Sequence, residues 1–261
     1  MAEGDLHYGR RDEGRVGDRA DSREILAAIE SYETAAEAPD NVEARWKLCR
    51  ALYFRGAYTG LDGERRRAVF EQARRVSEEA IRILGRRAGR AKALVEEPPA
   101  TIAQTLSNDS DAAPTFFWAA VSWGEWSLCV GKMAAARMGA ATRIRDAAFV
   151  VLLLDPTFEE GGGYRIMGRL HDQAPRVPLL TWWVSRKEAL TNLRRAVETG
   201  PRNLVNRHFL AEALAHGTPA ERAEAIPLEE GVVAGAPSPS HLVEETHIQE
   251  EAKRNLAQWK K

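Results

Sequence analysis

The sequence predicts an all-α protein built as an array of helix hairpins, and three observations support this prediction. Apolar residues recur at helical spacing along most of the chain. Segments that alternate apolar and polar residues, as half-buried strands do, are nearly absent. A ladder of mostly small residues at i, i+4 and i+7 recurs, and each copy is followed by Pro or Gly, which ends a helix and turns the chain. The copies are Ala28, Tyr32, Ala35 and Pro39; Ala73, Ser77, Ala80 and Gly85; Ile144, Ala148, Val151 and Pro156; and Ala189, Leu193, Ala196 and Pro201.

The composition is that of a globular protein with a substantial core. Of 261 residues, 44% are hydrophobic and 29% are charged, and 37 Lys and Arg nearly balance 38 Asp and Glu. This balance gives no overall electrostatic reason to expect nucleic acid or an anionic membrane as a partner, although local patches stay open. The longest apolar run, 147–154, is much shorter than the roughly 20 residues of a membrane-spanning helix, so no transmembrane segment is expected. Cys49 and Cys129 lie in apolar patterns and are predicted to be free, buried thiols.

The first twenty residues differ from the rest of the chain. Residues 1–20 mix charge and glycine without an apolar period, which predicts a flexible or peripherally draped arm. The remaining residues, 21–261, are predicted to form a single helical domain. Its first helix begins at Asp21 or Ser22, since either side chain can cap a helix.

Further helices follow, separated by inserted segments. A second helix starts after the turn 39-PDN-41, and a third covers 64–84 and ends at a glycine. Three segments interrupt the helical pattern with glycine, proline or polar residues and are predicted to be inserted loops, and a short turn of helix within the second of them is left open. They are 56–63, 96–114 and 172–183.

The stretch 160-EGGGYRIMGRLHDQAP-175 contains three consecutive glycines, which suit either a phosphate-binding loop or a joint between helices. A P-loop ends in Gly-Lys-Ser/Thr, and neither Lys nor Ser/Thr follows these glycines. A dinucleotide-binding turn needs a preceding strand, which an all-α chain does not offer. The glycines are therefore predicted to join the second helix of one hairpin to the first helix of the next. Arg165 and Arg169, four residues apart on that next helix, either bind an acid or form ion pairs.

No arrangement of residues in the sequence indicates catalysis, a metal or a cofactor. His241 and His247 lie near two glutamates, but no third ligand accompanies them at a spacing typical of a metal site. His208 and His216 are expected on the surface of one helix. No Ser/His/Asp set and no Gly-x-Ser-x-Gly turn is visible. The sequence thus predicts a protein that is not an enzyme and binds neither metal nor cofactor.

The segment 115-TFFWAAVSWGEWSLCVGK-132 is unusually aromatic for one helix. Two interpretations are open: the helix is buried on both sides at the centre of the array, or one face packs while the other lines a cavity for a small apolar or amphipathic ligand. In the second case, Trp182 and Trp183 from an insert would close the cavity, aromatic rings would contact the apolar part of the ligand, and an arginine would bind its carboxylate. The candidate ligand-binding residues are Phe117, Trp118, Trp123, Trp126, Tyr164 and Arg165.

The ladder and the hairpin order resemble tetratricopeptide (TPR) repeats, with about four divergent repeats and inserted loops. More specifically, the chain from about residue 20 to 215 resembles the T component associated with tripartite ATP-independent periplasmic (TRAP) transporters, TatT. The segments that carry this resemblance are 23-REILAAIESYETAAEAPDNVEARWKLCRALYFRG-56, 116-FFWAAVSWGEW-126, 153-LLDPTFEEGGGYRIMGRLHDQAP-175 and 201-PRNLVNRHFLAEAL-214. The resemblance implies an extracytoplasmic, sometimes lipid-anchored helical protein. It further implies a homotrimer with a ligand-sized pore in each protomer and, as partner, the solute-binding protein of a TRAP transporter.

Two hypotheses for the function follow. In the first, the chain is a non-catalytic binding protein that holds a small hydrophobic or organic-acid ligand or docks a TRAP-type solute-binding protein. In the second, it is a scaffold that grips a peptide or a protein with its concave face or its inserts and has no ligand pocket. The chain as given opens without an export signal or a lipidated cysteine. The expected compartment is therefore cytoplasmic if the chain begins as given and periplasmic if an export signal has been removed.

Overall fold

The structure of the protein is a computed structural model that describes residues 1–90 and 93–260. Over these residues the chain forms α-helices, two short 3-10 helices and no strand, which confirms the predicted all-α class. The α-helices are α1 (Ala2–Gly9), α2 (Ser22–Ala36), α3 (Val42–Tyr58), α4 (Gly63–Arg87), α5 (Pro99–Thr105), α6 (Ala112–Val130), α7 (Lys132–Arg137), α8 (Ala140–Leu154), α9 (Phe158–Gln173), α10 (Arg186–Thr199), α11 (Leu204–Ala215), α12 (Pro219–Ala234) and α13 (Leu242–Trp259). No described helix combines the length and the apolar character needed to cross a membrane.

The helices pack in chain order as a helical-repeat array. Four hairpins pair α3 with α4, α6 with α8, α9 with α10, and α11 with α12, and each hairpin packs on its neighbours. The small-residue ladder lies at the helix contacts, as its spacing predicts: Ala28, Ala73, Ala148 and Ala196 have no exposed surface. Small side chains at these positions let the helix axes approach closely, and this close approach makes the array continuous.

Side-chain caps mark where several helices begin. Asp21 accepts a hydrogen bond from the backbone N–H of Arg23 at the start of α2, and Asn41 accepts one from that of Ala44 in α3. Thr218 forms a reciprocal capping box with a glutamate of the first turn of α12. Each cap satisfies backbone donors that a helix start would otherwise leave unpaired.

The last helix returns to the beginning of the chain and closes the array. Glu244 of α13 forms an ion pair with Arg11 at 2.8 Å, and the Nδ1 atom of His247 lies 2.9 Å from a carboxylate oxygen of Asp18. Helix α13 also packs against α3. The described ends of the chain therefore meet, and the concave face of the array encloses a central cavity.

The sequence predicts no helix before residue 21, yet α1 lies within the segment for which it predicts an arm. Gly4 of α1 is buried against the ring of Tyr32, with no room for a Cβ atom. Asp5 accepts a hydrogen bond from the Tyr32 hydroxyl at 2.8 Å and pairs with Lys47 at 2.8 Å. Besides these polar contacts, the ring of Tyr8 packs on Phe54. One aromatic residue and a glycine form no apolar stripe, which is why apolar periodicity does not reveal α1.

Two of the predicted inserts are partly helical. Helices α3 and α4 take up half of 56–63, and residues 59–62 form the predicted loop. Gly56 lies inside α3, where a Cβ atom would come within 2.6 Å of the Phe70 ring. Helix α4 also runs past Gly85, which is buried in it. Helix α5 occupies part of 96–114. A glycine that allows two helices to approach closely is thus easily mistaken for a turn.

His208 is buried, which corrects its predicted surface position. It has no exposed surface, and its Nδ1 atom lies 3.0 Å from a carboxylate oxygen of Glu229, which is also fully buried. Its Nε2 atom lies 3.7 Å from Glu212 and 3.6 Å from Glu251. Burial alone would lower the pKa of His208, but the contacts with Glu229 and Glu251 outweigh it and raise the pKa to about 9. His208 thus joins α11, α12 and α13 by charge; His216, by contrast, is exposed.

The raised pKa of His208 makes the stability of the protein depend on pH. The folded-state pKa, about 9, is higher than the ordinary value of 6.5, so the stabilisation is complete below about pH 6.5 and is lost as the pH rises through 9. We expect the free energy of unfolding, measured with urea, to fall by roughly 2–3 kcal/mol between pH 7 and 9.5 because of this group. His208→Gln should flatten that part of the profile. Parallel profiles for the two proteins would contradict this assignment.

Candidate functional site

The array encloses a cavity of about 950 Å³, which lies within the size range of small-molecule sites. Helices α3, α6, α9 and α13 contribute most of its wall, and α7 and the start of α8 line one side. The central position of α6 reconciles the two interpretations of its aromatic sequence. Phe116 packs in the core, while Phe117 and Trp118 border the cavity.

One part of the wall is rich in hydroxyl and charged groups. The hydroxyls of Tyr53 and Tyr58 lie 3.0 Å apart, and burial raises the pKa of both, so both stay protonated near neutral pH. Arg66 of α4 pairs with Glu125 of α6 at 3.2 Å. The ring of Tyr58 also contacts His247 of α13, with 5.6 Å between centroids. This part of the wall supplies hydrogen-bond donors to any polar group in the cavity.

Another part of the wall is apolar and made of small side chains. Its residues come from α6, α7, α8 and α9, and their short side chains account for the width of the cavity there. They are Ala120, Val121, Ala135, Ala136, Ala140, Ala141, Ile144 and Leu170. A saturated chain or ring would bury its surface against these groups at about 25 cal/mol per Å².

Three cations of the cavity wall form no ion pair with a described carboxylate: Arg50, whose guanidinium lies over the Tyr8 ring, Lys132, which donates to an amide oxygen, and Arg165, whose hydrogen bonds go to neutral groups. The Nη1 atom of Arg165 donates to the Asn206 side-chain oxygen at 2.7 Å and to the Glu159 carbonyl at 3.2 Å. Arg11, Arg66 and Arg169 each pair instead with a carboxylate, whereas Arg165 lies within ion-pair distance of no described carboxylate. The surrounding protein removes water from its guanidinium and lowers the pKa of Arg165. An arginine so placed is best stabilised by an anion from outside the chain.

The triple-glycine stretch positions this arginine. The chain turns from α8 into α9 through three successive residues in left-handed conformation, with φ of 50° at Glu159, 54° at Glu160 and 83° at Gly161. Gly161 permits this turn and also lies against the backbone of α10, where a Cβ atom would come within 3.3 Å of Ala196. The glycines are thus the joint between hairpins that the sequence predicts.

A buried asparagine holds the joint together. The side-chain nitrogen of Asn206 donates to the carbonyls of Glu160 and Ala196, both at 2.9 Å, while its oxygen accepts from Arg165. The side chain of Asn203 donates to the Glu160 carboxylate at 2.7 Å. Left-handed non-glycine residues each cost about 1 kcal/mol or more, and such a cost is maintained only where neighbouring contacts enforce the conformation.

The structure brings three of the six predicted site residues to the cavity. Phe117, Trp118 and Arg165 border it. Trp123 and Trp126 pack against each other at 5.4 Å beneath the guanidinium of Arg74, on a side of α6 that faces away from the cavity wall.

The remaining predicted aromatics lie elsewhere. Tyr164 is half-buried outside the cavity wall. Trp182 is exposed, and Trp183 packs on His171 and Arg145, so neither closes the cavity. These misplacements arise because spacing assigns residues to a helix face and does not tell which neighbouring helix that face meets.

Sequence analysis missed the groups that complete the site. Tyr53, Tyr58 and Asn206 come from helices whose patterns look like ordinary core, and α13 lies outside the segment that resembles a known family. One local signal for Asn206 is its place on the helical stripe of Leu210 and Leu214, since an amide on an apolar stripe is buried and then needs several hydrogen-bond partners. Among the described residues, no group of three or more His, Cys, Asp or Glu side chains is placed to hold a metal ion.

Comparison with known proteins assigns the chain to no family. No family model matches the chain, and no curated protein matches it. Among solved structures, the chain is similar to the TPR2AB domain of yeast Sti1 in its complex with pHSP90. The two are 16% identical, the alignment covers 100% of this chain and 96% of that chain, and the TM-score is 0.34. At this score the likeness does not establish a common arrangement of the helices.

Replacing Gly162 with Ala tests the close packing at the joint. A Cβ atom there would lie 2.4 Å from the Phe117 ring, which is packed in turn against Trp118 and Phe158. We expect Gly162→Ala to lower the free energy of unfolding by about 1–3 kcal/mol in urea denaturation, the usual cost of overpacking a core.

Gly231→Ala on α12 is the matched control. No atom lies within 4 Å of a Cβ atom built there. This substitution should leave stability unchanged or raise it by up to about 1 kcal/mol, because alanine is the better helix former. Equal effects of the two substitutions would show that the Phe117 contact does not constrain the joint.

Proposed function

We propose that the protein is a non-catalytic binding protein that holds a small amphipathic carboxylic acid in its central cavity. The observation that carries this proposal is Arg165, a desolvated arginine on the cavity wall with no described carboxylate within ion-pair distance. A carboxylate offers an arginine two oxygens in the geometry of its own N–H groups, and such charge-assisted hydrogen bonds are strong away from water. The Tyr53 and Tyr58 hydroxyls border the same cavity and supply neutral donors.

The rest of the cavity favours an apolar tail on that acid. Along α9, Arg165 and Gln173 both border the cavity, and the rise of an α-helix puts them about 12 Å apart. Between them lie Ile166 and Leu170, which face the alanines of α7 and α8. A chain of about eight carbons, or a ring of similar length, spans this distance. The proposal therefore specifies one carboxylate and one apolar group.

The resemblance to TatT adds a partner to this proposal. Members of that family are expected to bind the solute-binding protein of a TRAP transporter and to assemble as trimers. In this extended form, the protein would pass its acid ligand to or from such a partner. Size-exclusion chromatography of the chain with a TRAP solute-binding protein tests the extension, and two separate peaks at micromolar concentrations would count against it.

Calorimetric titration with octanoate tests the carboxylate site. We expect octanoate to bind at one site per chain and octanol, which lacks the charge, to bind about 10- to 100-fold more weakly. A hydrogen bond to a charged group contributes about 1.5–3 kcal/mol, which corresponds to that range. Arg165→Met should reduce octanoate affinity by a similar factor and leave octanol binding unchanged.

Arg169→Met is the matched control for this experiment. Arg169 lies one turn further along α9 and also borders the cavity, but it already pairs with Glu212 at 2.7 Å. Its replacement should change octanoate affinity much less than that of Arg165. If octanoate, octanol and a six-membered-ring carboxylate all fail to bind the folded protein, the competing scaffold hypothesis becomes the better account.

A further inference from the structure

The cavity opens to solvent between the end of α6 and the end of α9. Leu128 and Lys132 border the cavity and are exposed, and Gln173 and Pro175 border it from the other side. The Lys132 ammonium group donates to the side-chain oxygen of Gln173 at 3.0 Å across this opening. Two segments thus frame the mouth of the cavity: 126–138, which contains α7, and 174–182, which follows α9. We call their exposed residues the rim.

The rim exposes an unusual amount of apolar surface. Large apolar side chains there project into solvent from both segments, and Leu179 and Trp182 are 93% and 64% exposed. Exposed large apolar residues that cluster around an opening mark a contact surface, whereas scattered ones need no explanation. The exposed apolar residues of the rim are Leu128, Met133, Met138, Leu179, Leu180 and Trp182.

The backbone conformation of Leu179 shows that the loop itself holds this side chain exposed to solvent. Its φ is 67°, a left-handed conformation that a leucine adopts only at a cost. Thr181, buried beneath it, accepts a hydrogen bond from the backbone N–H of Val177 at 2.8 Å and donates one to the carbonyl of Pro175. The loop thus holds a leucine in a strained conformation at its outermost point, where glycine or asparagine would be more stable.

The charges around the rim have one sign. The two segments of the rim, 126–138 and 174–182, contain three Lys and Arg and no Asp or Glu. The remainder of the chain is left with 34 Lys and Arg against 38 Asp and Glu. Lys132, Arg137 and Arg176 are exposed and form no ion pair with a described carboxylate. The rim is therefore a local basic patch on a chain that is otherwise acidic.

We propose that the rim docks the mouth of the cavity on an anionic lipid surface. Leucine, methionine and tryptophan interleaved with Lys and Arg are the composition of segments that lie in the membrane interface, where the apolar side chains enter the acyl boundary and the cations meet lipid phosphates. Protein–protein interfaces are depleted in lysine but are also rich in tryptophan, methionine and arginine, so the choice of a lipid surface rests on the positive charge of the rim in a chain that is otherwise acidic. This proposal stands independently of the ligand in the cavity, since it depends only on the exposed surface.

Flotation of the whole protein with lipid vesicles tests the proposal. We expect binding to vesicles of equal parts phosphatidylglycerol and phosphatidylcholine, and binding at least tenfold weaker to phosphatidylcholine alone. Each Lys or Arg near an anionic surface contributes about 1 kcal/mol, which is about fivefold in affinity. Replacing Lys132, Arg137 and Arg176 together by Gln should therefore weaken binding to the anionic vesicles on the order of 100-fold.

Two matched variants separate the rim from general effects of charge and apolar surface. Arg65, Arg195 and Arg254 are exposed on α4, α10 and α13, and their joint replacement by Gln changes the net charge by the same amount. The pair Leu179→Asp and Leu180→Asp should abolish flotation. The pair Leu6→Asp and Leu26→Asp, at exposed positions of α1 and α2, should leave it intact. Circular dichroism checks that each variant is folded.

Three outcomes would overturn the proposal. They are no flotation with the anionic vesicles, flotation that the control charge variant reduces as much as the rim variant, and flotation that survives both leucine substitutions in the loop. If the vesicles fail to bind while a photocrosslinker at position 180 captures a protein, the rim is a protein-docking surface instead. None of these outcomes bears on octanoate binding, so the two proposals fail separately.

Discussion

The candidate site depends on the hydrogen bonds of one buried amide. Asn206 in α11 donates to a carbonyl at the start of α9 and to one near the end of α10, and it accepts from Arg165. Three helices from two hairpins therefore meet at a single side chain with no exposed surface. A buried amide without its partners is costly, so the three helices and the arginine are positioned together or not at all. The left-handed backbone of Glu159 and Glu160 is a consequence of this constraint, because it directs the Glu160 carbonyl toward α11.

The cavity also depends on α13, which closes the array against the start of the chain. The ion pairs Arg11–Glu244 and His247–Asp18 bring α13 against the start of the chain, and His208 links α13 to the hairpin of α11 and α12. Without α13, the concave face would be an open groove of the kind that TPR-like arrays use for peptides. With it, the same face surrounds a cavity whose wall holds the half-buried Arg165. Helix α13, which lies outside the repeated hairpins, therefore turns an open groove into a cavity.

The sequence predicts the parts of the structure that follow from local periodicity. The ladder residues that lie within helices are buried except for Ala35, which is half-buried, and Asp21 and Asn41 cap the helices they precede, because spacing and capping depend on neighbours along the chain. Arg165 and Trp118 border the cavity and Trp123 does not, since the neighbour of a helix face depends on the whole array. Helix α1 and buried His208 were missed for the same reason. Their partners, Tyr32 and Glu229, are distant in sequence, and polar contacts between distant residues produce no periodic pattern in the sequence.

The positions that weaken the fold are the most informative about function. A stable array would place a carboxylate beside Arg165 and a glycine or a polar residue at the tip of the loop that carries Leu179. The protein does neither, and both departures lie along the same cavity, one on its inner wall and one beside its mouth. Natural sequences keep such departures from local rules mainly where function requires them. The two departures correspond to the two proposals, a carboxylic acid held at Arg165 and a lipid surface met by the rim. The proposals are chemically compatible, because an amphipathic acid partitions into a bilayer and, if both hold, would enter the cavity from there.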